Sequence, residues 1–346
     1  MSERTQEGLR AAPVGGLRVG PGANAQPAPA GAAAAQPVVL ATHGLTKRFG
    51  HMLAVDHLDL SVHRGDVFGF LGPNGAGKTT TIRMMVGLIF PTEGYVQVLD
   101  HRLPGDRLEA LKHVGGFVEV PAFYRNMTGR ENLRMLGELS GDGSEARVNE
   151  VLDVVGLRER ADSKVGDYSH GMNQRLGIAQ ALLHKPEVVI LDEPTNGLDP
   201  QGMKDVRELV RALGAAGTTV FLSSHLLNEV EQVCNRAVII NKGRVVVEGP
   251  VSELHPEHSA VKVLTRDQTR AREVLGAVVG AHNIALDEEY LVVDGVNGNV
   301  PDLVEELVRQ GIKVEAIVPA REQGLEDYFL GLTQSADVDA ARSPAA

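Results

Sequence analysis

The stretch Gly-Pro-Asn-Gly-Ala-Gly-Lys-Thr at positions 72–79 fits the phosphate-binding pattern G-x-x-x-x-G-K-[ST] in full. Glycines let the backbone turn so that several N–H groups point at one anion, and a following helix adds its positive N-terminal end. A chance glycine turn is the alternative, but this motif follows an apolar strand and opens a helix, as phosphate binding requires. The candidate nucleotide-binding residues are Gly72, Pro73, Asn74, Gly75, Ala76, Gly77, Lys78, Thr79 and Thr80.

Each polar side chain of this loop is expected to bind a different part of the triphosphate or its magnesium ion. We expect Lys78 to reach the β- and γ-phosphates and the Thr79 hydroxyl to hold Mg²⁺. Thr80 is a candidate for the α-phosphate. The predicted ligand is therefore a nucleoside triphosphate with its magnesium ion.

A pair of carboxylates, Asp192 and Glu193, ends the apolar run Val188–Leu191. Adjacent acids on a surface turn are usually only solvated charge. These two end a buried strand, and in a parallel sheet the loops at one edge converge. Asp192 is expected to hold Mg²⁺ through water, and Glu193 to orient and activate the attacking water.

His225 ends another apolar run, Thr218–Ser224, and the chain has 12 histidines, most of which are expected to be structural. Its place at a strand end favours a contact with the γ-phosphate. A hydrolase pair of Ser224 and His225 is excluded, because adjacent residues on a strand point to opposite faces.

The periodicity predicts the elements that must position these residues. Apolar runs and alternation indicate strands, and 3.6-residue spacing with caps indicates helices. Strands are predicted at 38–45, 57–62, 66–72, 95–100, 114–120, 187–193 and 218–225, with a hairpin at 236–249. Helices are predicted at 78–89, 128–139, 146–156, 171–183, 200–214 and 225–235. This alternation predicts an α/β fold with a parallel sheet, an antiparallel edge near the N-terminus and an all-helical insert at about 120–185.

Composition divides the rest of the chain. Residues 1–37 are rich in Ala, Gly and Pro and are predicted to be a disordered tail, followed by the nucleotide-binding domain at 38–255. Residues 256–332 suggest a small α+β, ferredoxin-like accessory domain with no catalytic constellation. Residues 333–346 are polar and are predicted to be a flexible tail.

The overall balance excludes several classes of protein. A formal net charge of -11 argues against a general nucleic-acid binder, and we expect no nucleic-acid partner. The single cysteine, Cys234, rules out a disulfide framework and is expected to be a small buried residue. No apolar run approaches the about 18 residues of a membrane span. The first ten residues contain acidic as well as basic side chains, which argues against a signal peptide. We therefore expect that any role at the membrane needs a partner protein.

Five motifs occur in an order that is highly specific: "GPNGAGKTT", "YSHGM", "VVILDEP", "NGLD" and "SSH". Over residues 38–250 the chain resembles the ATP-binding subunit of an ABC transporter. The stretches "FVEVPAFYRNMTGREN" and "YSHGMNQRLGIAQALLHKP" resemble the bacterial branch of drug, bacitracin and lantibiotic exporters.

This resemblance implies a P-loop ATPase that works as a dimer. Ser169 and Gly171, in the turn "YSHGM", would complete the ATP site of the facing subunit. By position, Phe49 matches the aromatic residue that stacks on adenine, and Asp199 matches the loop that links the two sites. Glu119 stands where the family usually has a glutamine that senses Mg²⁺ and signals to the membrane subunit.

The sequence thus predicts an Mg²⁺-dependent ATPase that drives a separate multi-span permease, more consistent with export than import. The partners implied are that permease and a second ATP-binding subunit, with a homodimer favoured. The location implied is the cytoplasmic face of the membrane. The alternatives are a soluble ABC ATPase acting on ribosomes or DNA, a P-loop kinase for a small metabolite, and a non-catalytic regulatory domain.

Overall fold

The computed structural model describes residues 36–254, 260–287, 289–294, 296 and 300–319. The tails predicted at 1–37 and 333–346 lie outside these residues, apart from Gln36 and Pro37. The domain boundaries therefore stay predictions.

The first described segment, 36–254, alternates strands with helices, as the periodicity predicts. Its strands are β1 (Val38–Phe49), β2 (Met52–His63), β3 (Val67–Leu71), β4 (Glu93–Val98), β5 (His101–Leu103), β6 (Val114–Phe117), β7 (Val188–Leu191), β8 (Thr219–Ser224), β9 (Arg236–Asn241) and β10 (Arg244–Pro250). Its helices are α1 (Lys78–Met85), α2 (Arg107–Leu111), α3 (Gly129–Ser140), α4 (Glu145–Val154), α5 (His170–Leu182), α6 (Pro200–Ala215) and α7 (Leu227–Val233).

These strands form two sheets. One has six strands in the order β10-β9-β3-β8-β7-β6, parallel except for β10. The other has four antiparallel strands in the order β2-β1-β4-β5. The α/β class is confirmed, and the antiparallel strands are a sheet of their own rather than an edge of the parallel one.

Both faces of the parallel sheet are buried, which explains why its strands read as continuous apolar runs. On one face, Phe68 and Phe70 of β3 pack with Ile82 and Met85 of α1 and with the antiparallel sheet. On the other face, Leu71 joins a cluster that includes residues of α3 to α7. Helix α1 is therefore held between the two sheets, with its first residue at the phosphate loop.

The predicted helical insert occupies the chain between β6 and β7. Thr128 and Glu131 form a capping box at the start of α3. Helix α4 buries the apolar residues of one face, including Val148 and Leu152. Helix α1 ends at Met85, earlier than the periodicity predicts, and Gly87 follows with a φ of +67°.

Cys234 follows α7 and is buried, as predicted. Burial raises the pKa of its thiol far above the usual range. The thiolate, which is the reactive form, is therefore scarce at neutral pH.

The remaining described residues form a small α+β unit. Its elements are β11 (Val261–Thr265), α8 (Gln268–Val279), β12 (Ile284–Asp287), β13 (Tyr290–Val293), α9 (Val300–Arg309) and β14 (Val314–Pro319). The sheet order is β12-β13-β11-β14, and every adjacent pair is antiparallel. The order of these elements along the chain is β-α-β-β-α-β. The sequence did not locate β12, because that strand is short and only Ile284 in it is buried.

No helix in the described parts of the chain combines the length and the apolar character needed to cross a membrane.

Candidate functional site

The phosphate loop runs from the end of β3 to the start of α1, as the motif requires. Gly75 and Gly77 have φ values of +82° and +106°, which other residues rarely adopt. A Cβ atom added to Gly77 would lie 2.5 Å from the Ala54 carbonyl oxygen of the neighbouring strand. The tight curl of the loop at this position therefore requires glycine.

Lys78 is the first residue of α1 and is only 5% exposed. Its ammonium donates to the carbonyl oxygens of Gly72 (2.8 Å) and Pro73 (3.3 Å), so the loop itself holds the charge in place. The Lys78 Nζ also lies 3.2 Å from Oε1 of Glu193. This contact joins the phosphate loop to the acid at the end of β7.

An open cleft of about 930 Å³ lies over the phosphate loop, and we call it the nucleotide cleft. Its walls come from the phosphate loop, the start of β2, the end of β7 and the β9–β10 turn. The residues that line it are Met52, Leu53, Ala54, Asn74, Gly75, Gly77, Lys78, Thr79, Thr80, Glu193 and Lys242. The cleft has room for a nucleotide, and cationic and backbone donors surround it.

The two predicted acids are fixed by a single serine of the neighbouring strand. The Ser223 hydroxyl donates to Oδ1 of Asp192 (2.7 Å) and accepts from the Glu193 backbone N–H (2.9 Å). Glu193 has a φ of +47°, an uncommon conformation for a residue with a side chain. This turn aims the Glu193 carboxylate at the nucleotide cleft, while Asp192 stays buried beneath it.

His225 meets the same acid from the end of β8. Its Nδ1 lies 2.7 Å from Oε2 of Glu193, and because a carboxylate only accepts hydrogen bonds, the Nδ1–H donates. Glu193 thus contacts the Lys78 ammonium with one oxygen and the His225 imidazole with the other. The structure brings together all three residues that the sequence nominated for catalysis.

A second cleft of about 590 Å³ adjoins the first, with Asn74, Thr79 and Glu193 lining both. Asp192 and Glu119 also line it, so with Glu193 it has three carboxylates, the hard oxygen donors that Mg²⁺ prefers. Within the described residues, no three or more His, Cys, Asp or Glu side chains form a metal-binding group.

Glu119 differs from a simple metal ligand because its carboxylate is exposed and already paired with an arginine. It is 62% exposed, has a φ of +61°, and its Oε1 accepts from Nη2 of Arg83 on α1 at 2.6 Å. The carboxylate therefore borders the second cleft while paired with a helix that begins at the phosphate loop. The sequence alone did not indicate the Arg83 partner.

Comparison with known proteins agrees with this geometry. Residues 55–196 match the family described as ABC transporter. The bacitracin transport ATP-binding protein BcrA of Bacillus licheniformis is 41% identical over 297 residues, which cover 85% of this chain and 97% of that protein. The chain belongs to the ABC transporter family. It is an ATP-binding, ATP-hydrolysing subunit, and an ABC ATPase outside transport is not favoured.

Further relatives support the same family. The daunorubicin resistance ATP-binding protein DrrA3 of Streptomyces coeruleorubidus is 36% identical, over 84% of this chain and 94% of that protein. Among solved structures, an ATP-binding subunit of an ABC transporter has a TM-score of 0.56 at 30% identity, covering 62% of this chain and 91% of that one. A dimeric ATP-binding cassette bound to ADP and phosphate has a TM-score of 0.55 at 25% identity, covering 61% and 98%.

The turn at Ser169–Gly171, which we call the signature turn, lies outside both clefts of its own chain. Ser169 is the exposed N-cap of α5, and its Oγ accepts from the Met172 N–H at 3.2 Å. Gly171 follows in the first turn, where a Cβ would have room beside Gly202. The turn is therefore exposed and preorganised, although it completes neither cleft of its own subunit.

The loop that carries Asp199 is next to the signature turn. Asp199 caps α6 by accepting from the Gly202 N–H at 3.1 Å. The His170 ring is 3.3 Å from the carbonyl oxygen of Asn196 in the same loop. The signature turn and the Asp199 loop thus form one continuous surface.

Phe49 is at the end of β1, is 46% exposed and does not line the nucleotide cleft. Its ladder partner Met52 does line it, so the ring lies at the rim, with the Lys47 ammonium 5.1 Å from its centre. Sequence reasoning missed the lining residues Met52 to Ala54 and Lys242. The only signal for Lys242 was its hairpin turn, which carries no nucleotide-binding pattern.

Proposed function

We propose that this chain powers a separate multi-span membrane permease for export of a drug, a peptide antibiotic or a lipid-like compound. The names of the relatives support this substrate class, since they include bacitracin transport and daunorubicin resistance proteins. The subunit attaches peripherally to the cytoplasmic face of the membrane through the permease.

The observation that carries the proposed mechanism is the double contact of Glu193. A water molecule beside this carboxylate attacks the γ-phosphorus, the bond to the ADP oxygen breaks, and the water proton passes to Glu193. His225 holds the carboxylate in orientation from the other side. Lys78 balances the phosphate charge, since its ammonium is anchored in the loop.

The residues that would hold Mg²⁺ are Thr79 and Asp192, with Glu119 at the border of the same cleft. When bound, the ion neutralises charge on the phosphate oxygens. Asp192 is well suited to this role, because the Ser223 hydroxyl fixes its orientation.

Two copies of the chain are proposed to face each other head to tail. The Ser169 hydroxyl and the N-terminal end of α5 then offer donors to the γ-phosphate bound by the facing copy. This arrangement accounts for a signature turn that is exposed and lies outside both clefts of its own subunit. Phe49 is proposed to stack on the base at the rim, and Asp199 to link the two sites.

Reconstitution tests the proposed function. If a multi-span membrane protein is encoded beside this chain's gene, it is expected to co-purify with the chain and to raise its ATPase rate in lipid vesicles. ATP-dependent movement of a labelled peptide antibiotic or drug across those vesicles would be the readout. The Lys78→Ala variant serves as the control, because it should assemble but not transport. Absence of any complex, with unchanged ATPase activity in vesicles, would contradict the proposal.

Glu119 is expected to couple hydrolysis to the permease. Glu119→Gln keeps the reach and an oxygen ligand, so the ATPase rate should stay within about tenfold of wild type, a barrier change of about 1.4 kcal/mol. Glu119→Ala removes both the oxygen and the Arg83 ion pair, so permease-stimulated activity should fall far more than basal activity. Both rates are measured with and without the permease in vesicles.

A matched control for this test is Glu109→Gln, which breaks an exposed ion pair with Lys112 away from both clefts. It should leave stimulated and basal activity unchanged. If Glu119→Ala transports like wild type, the residue is only a surface charge.

A further inference from the structure

Glu229 of α7 is an acid buried behind the catalytic loops, with only 6% of its surface exposed. Its Oε2 accepts a hydrogen bond from the Thr195 hydroxyl at 2.6 Å and lies 3.3 Å from the Ser224 hydroxyl. Its Oε1 has no hydrogen-bond partner among the described residues. A carboxyl group is costly to bury, so its presence here suggests a role beyond filling space.

The two hydroxyls that meet at Glu229 lie beside the two proposed catalytic residues, Glu193 and His225. Thr195 comes two residues after Glu193, and Ser224 comes directly before His225. These loops follow β7 and β8, which are neighbours in the parallel sheet. Glu229 therefore forms a second bridge between the strand ends already joined by the 2.7 Å contact of Glu193 with His225.

We propose that Glu229 is a positioning residue for ATP hydrolysis, which holds the Glu193 loop and the His225 loop together through Thr195 and Ser224. The inference rests on the roles proposed above for Glu193 and His225. Glu229 touches neither the nucleotide cleft nor its neighbour, so its effect must pass through the two hydroxyls.

The surroundings of the carboxylate favour positioning over a structural role. Glu229 borders a small cavity whose other walls include Val206, Val210, Leu222 and Val233. Arg207 and Ser223 also line this cavity, but a leucine in its mostly apolar walls would pack well and avoid the cost of burying a carboxyl group. If position 229 only filled space, an apolar side chain would serve better. A hydrogen-bond acceptor is needed there only to join the hydroxyls of Thr195 and Ser224.

Four variants separate these roles. Glu229→Leu keeps the volume but removes the acceptor, and Thr195→Val removes one donor with nearly the same shape. Glu229→Gln keeps an oxygen acceptor and should rescue the function. Glu231→Gln, two residues along the same helix, is the control. Steady-state kcat, the Kd for a fluorescent ATP analogue and the Tm are measured on the full chain.

Glu229→Leu and Thr195→Val should each lower kcat by about tenfold, because small displacements of catalytic groups are costly, while the Kd stays within about twofold. Glu229→Gln and Glu231→Gln should stay near wild type. The double variant of Thr195→Val and Glu229→Leu should lose no more than either single variant, since both break one bridge.

Several outcomes would overturn the inference. They are an unchanged kcat in Glu229→Leu, equal losses in Glu229→Leu and Glu229→Gln, and additive losses in the double variant. A parallel measurement on Glu193→Gln separates this inference from the proposed function. If Glu193→Gln hydrolyses ATP normally, the catalytic assignment itself is wrong. If Glu193→Gln is inactive while Glu229→Leu is normal, only the positioning role of Glu229 fails.

Discussion

Glu193→Gln is expected to lower the rate of ATP hydrolysis by about 10²–10⁴-fold, the usual contribution of a general base. The amide keeps the shape of the carboxylate and can still meet His225, but it cannot take the proton of the attacking water. ATP binding should persist, because the phosphate loop and the anchored Lys78 ammonium remain in place. The variant should therefore accumulate as an ATP-bound dimer.

Phosphate release and analytical ultracentrifugation with ATP and Mg²⁺ measure these two effects. Glu208→Gln, on the exposed surface of α6, is a matched control that should hydrolyse ATP at the wild-type rate. A Glu193→Gln variant that releases phosphate near the wild-type rate would refute the assignment of the general base.

Mixing two inactive variants should restore some hydrolysis if the signature turn acts across the dimer. Ser169→Arg places a long side chain in the turn that meets the facing phosphate, and Lys78→Ala removes the charge that holds phosphate. A mixed dimer has one site built from two intact halves and one from two damaged halves. Each variant alone should be inactive, so any recovered activity comes from the mixed species.

The recovery is measured as ATPase activity and as ATP-dependent dimerisation over a range of protein concentrations. Ser169→Arg also loses the N-cap of α5, which costs about 1 kcal/mol. Ser169→Asp is the control for this loss, because it keeps a cap acceptor but repels phosphate. A monomer that hydrolyses ATP at the full rate at every concentration would exclude the trans arrangement.

Local chemistry made the core of the site predictable. A glycine pattern between a strand and a helix specifies a phosphate loop, because only glycine adopts the positive φ that the curl at Gly77 needs. An apolar run that is followed by two acidic residues predicts a buried strand with two carboxylates at its C-terminal end. Each of these signals is local in the chain, so the sequence alone predicted the positions of Lys78, Asp192 and Glu193.

Contacts between distant segments were less predictable. Sheet order brings β3, β8 and β7 side by side, and this order lets Glu193 reach both Lys78 and His225. The positive φ of Glu193 decides where its carboxylate points, and no local pattern encodes that conformation. The same holds for the Arg83 partner of Glu119, which lies 36 residues away in the chain.

The sequence by itself determined the family and the α/β class, and it predicted which residues meet the phosphates, because short motifs carry that chemistry. Only the tertiary structure decided that Phe49 lies at the rim, that Lys242 lines the nucleotide cleft and that Glu229 joins the two catalytic loops. The physical reason is that these contacts come from side chains on separate elements, which meet only when both sheets pack around α1.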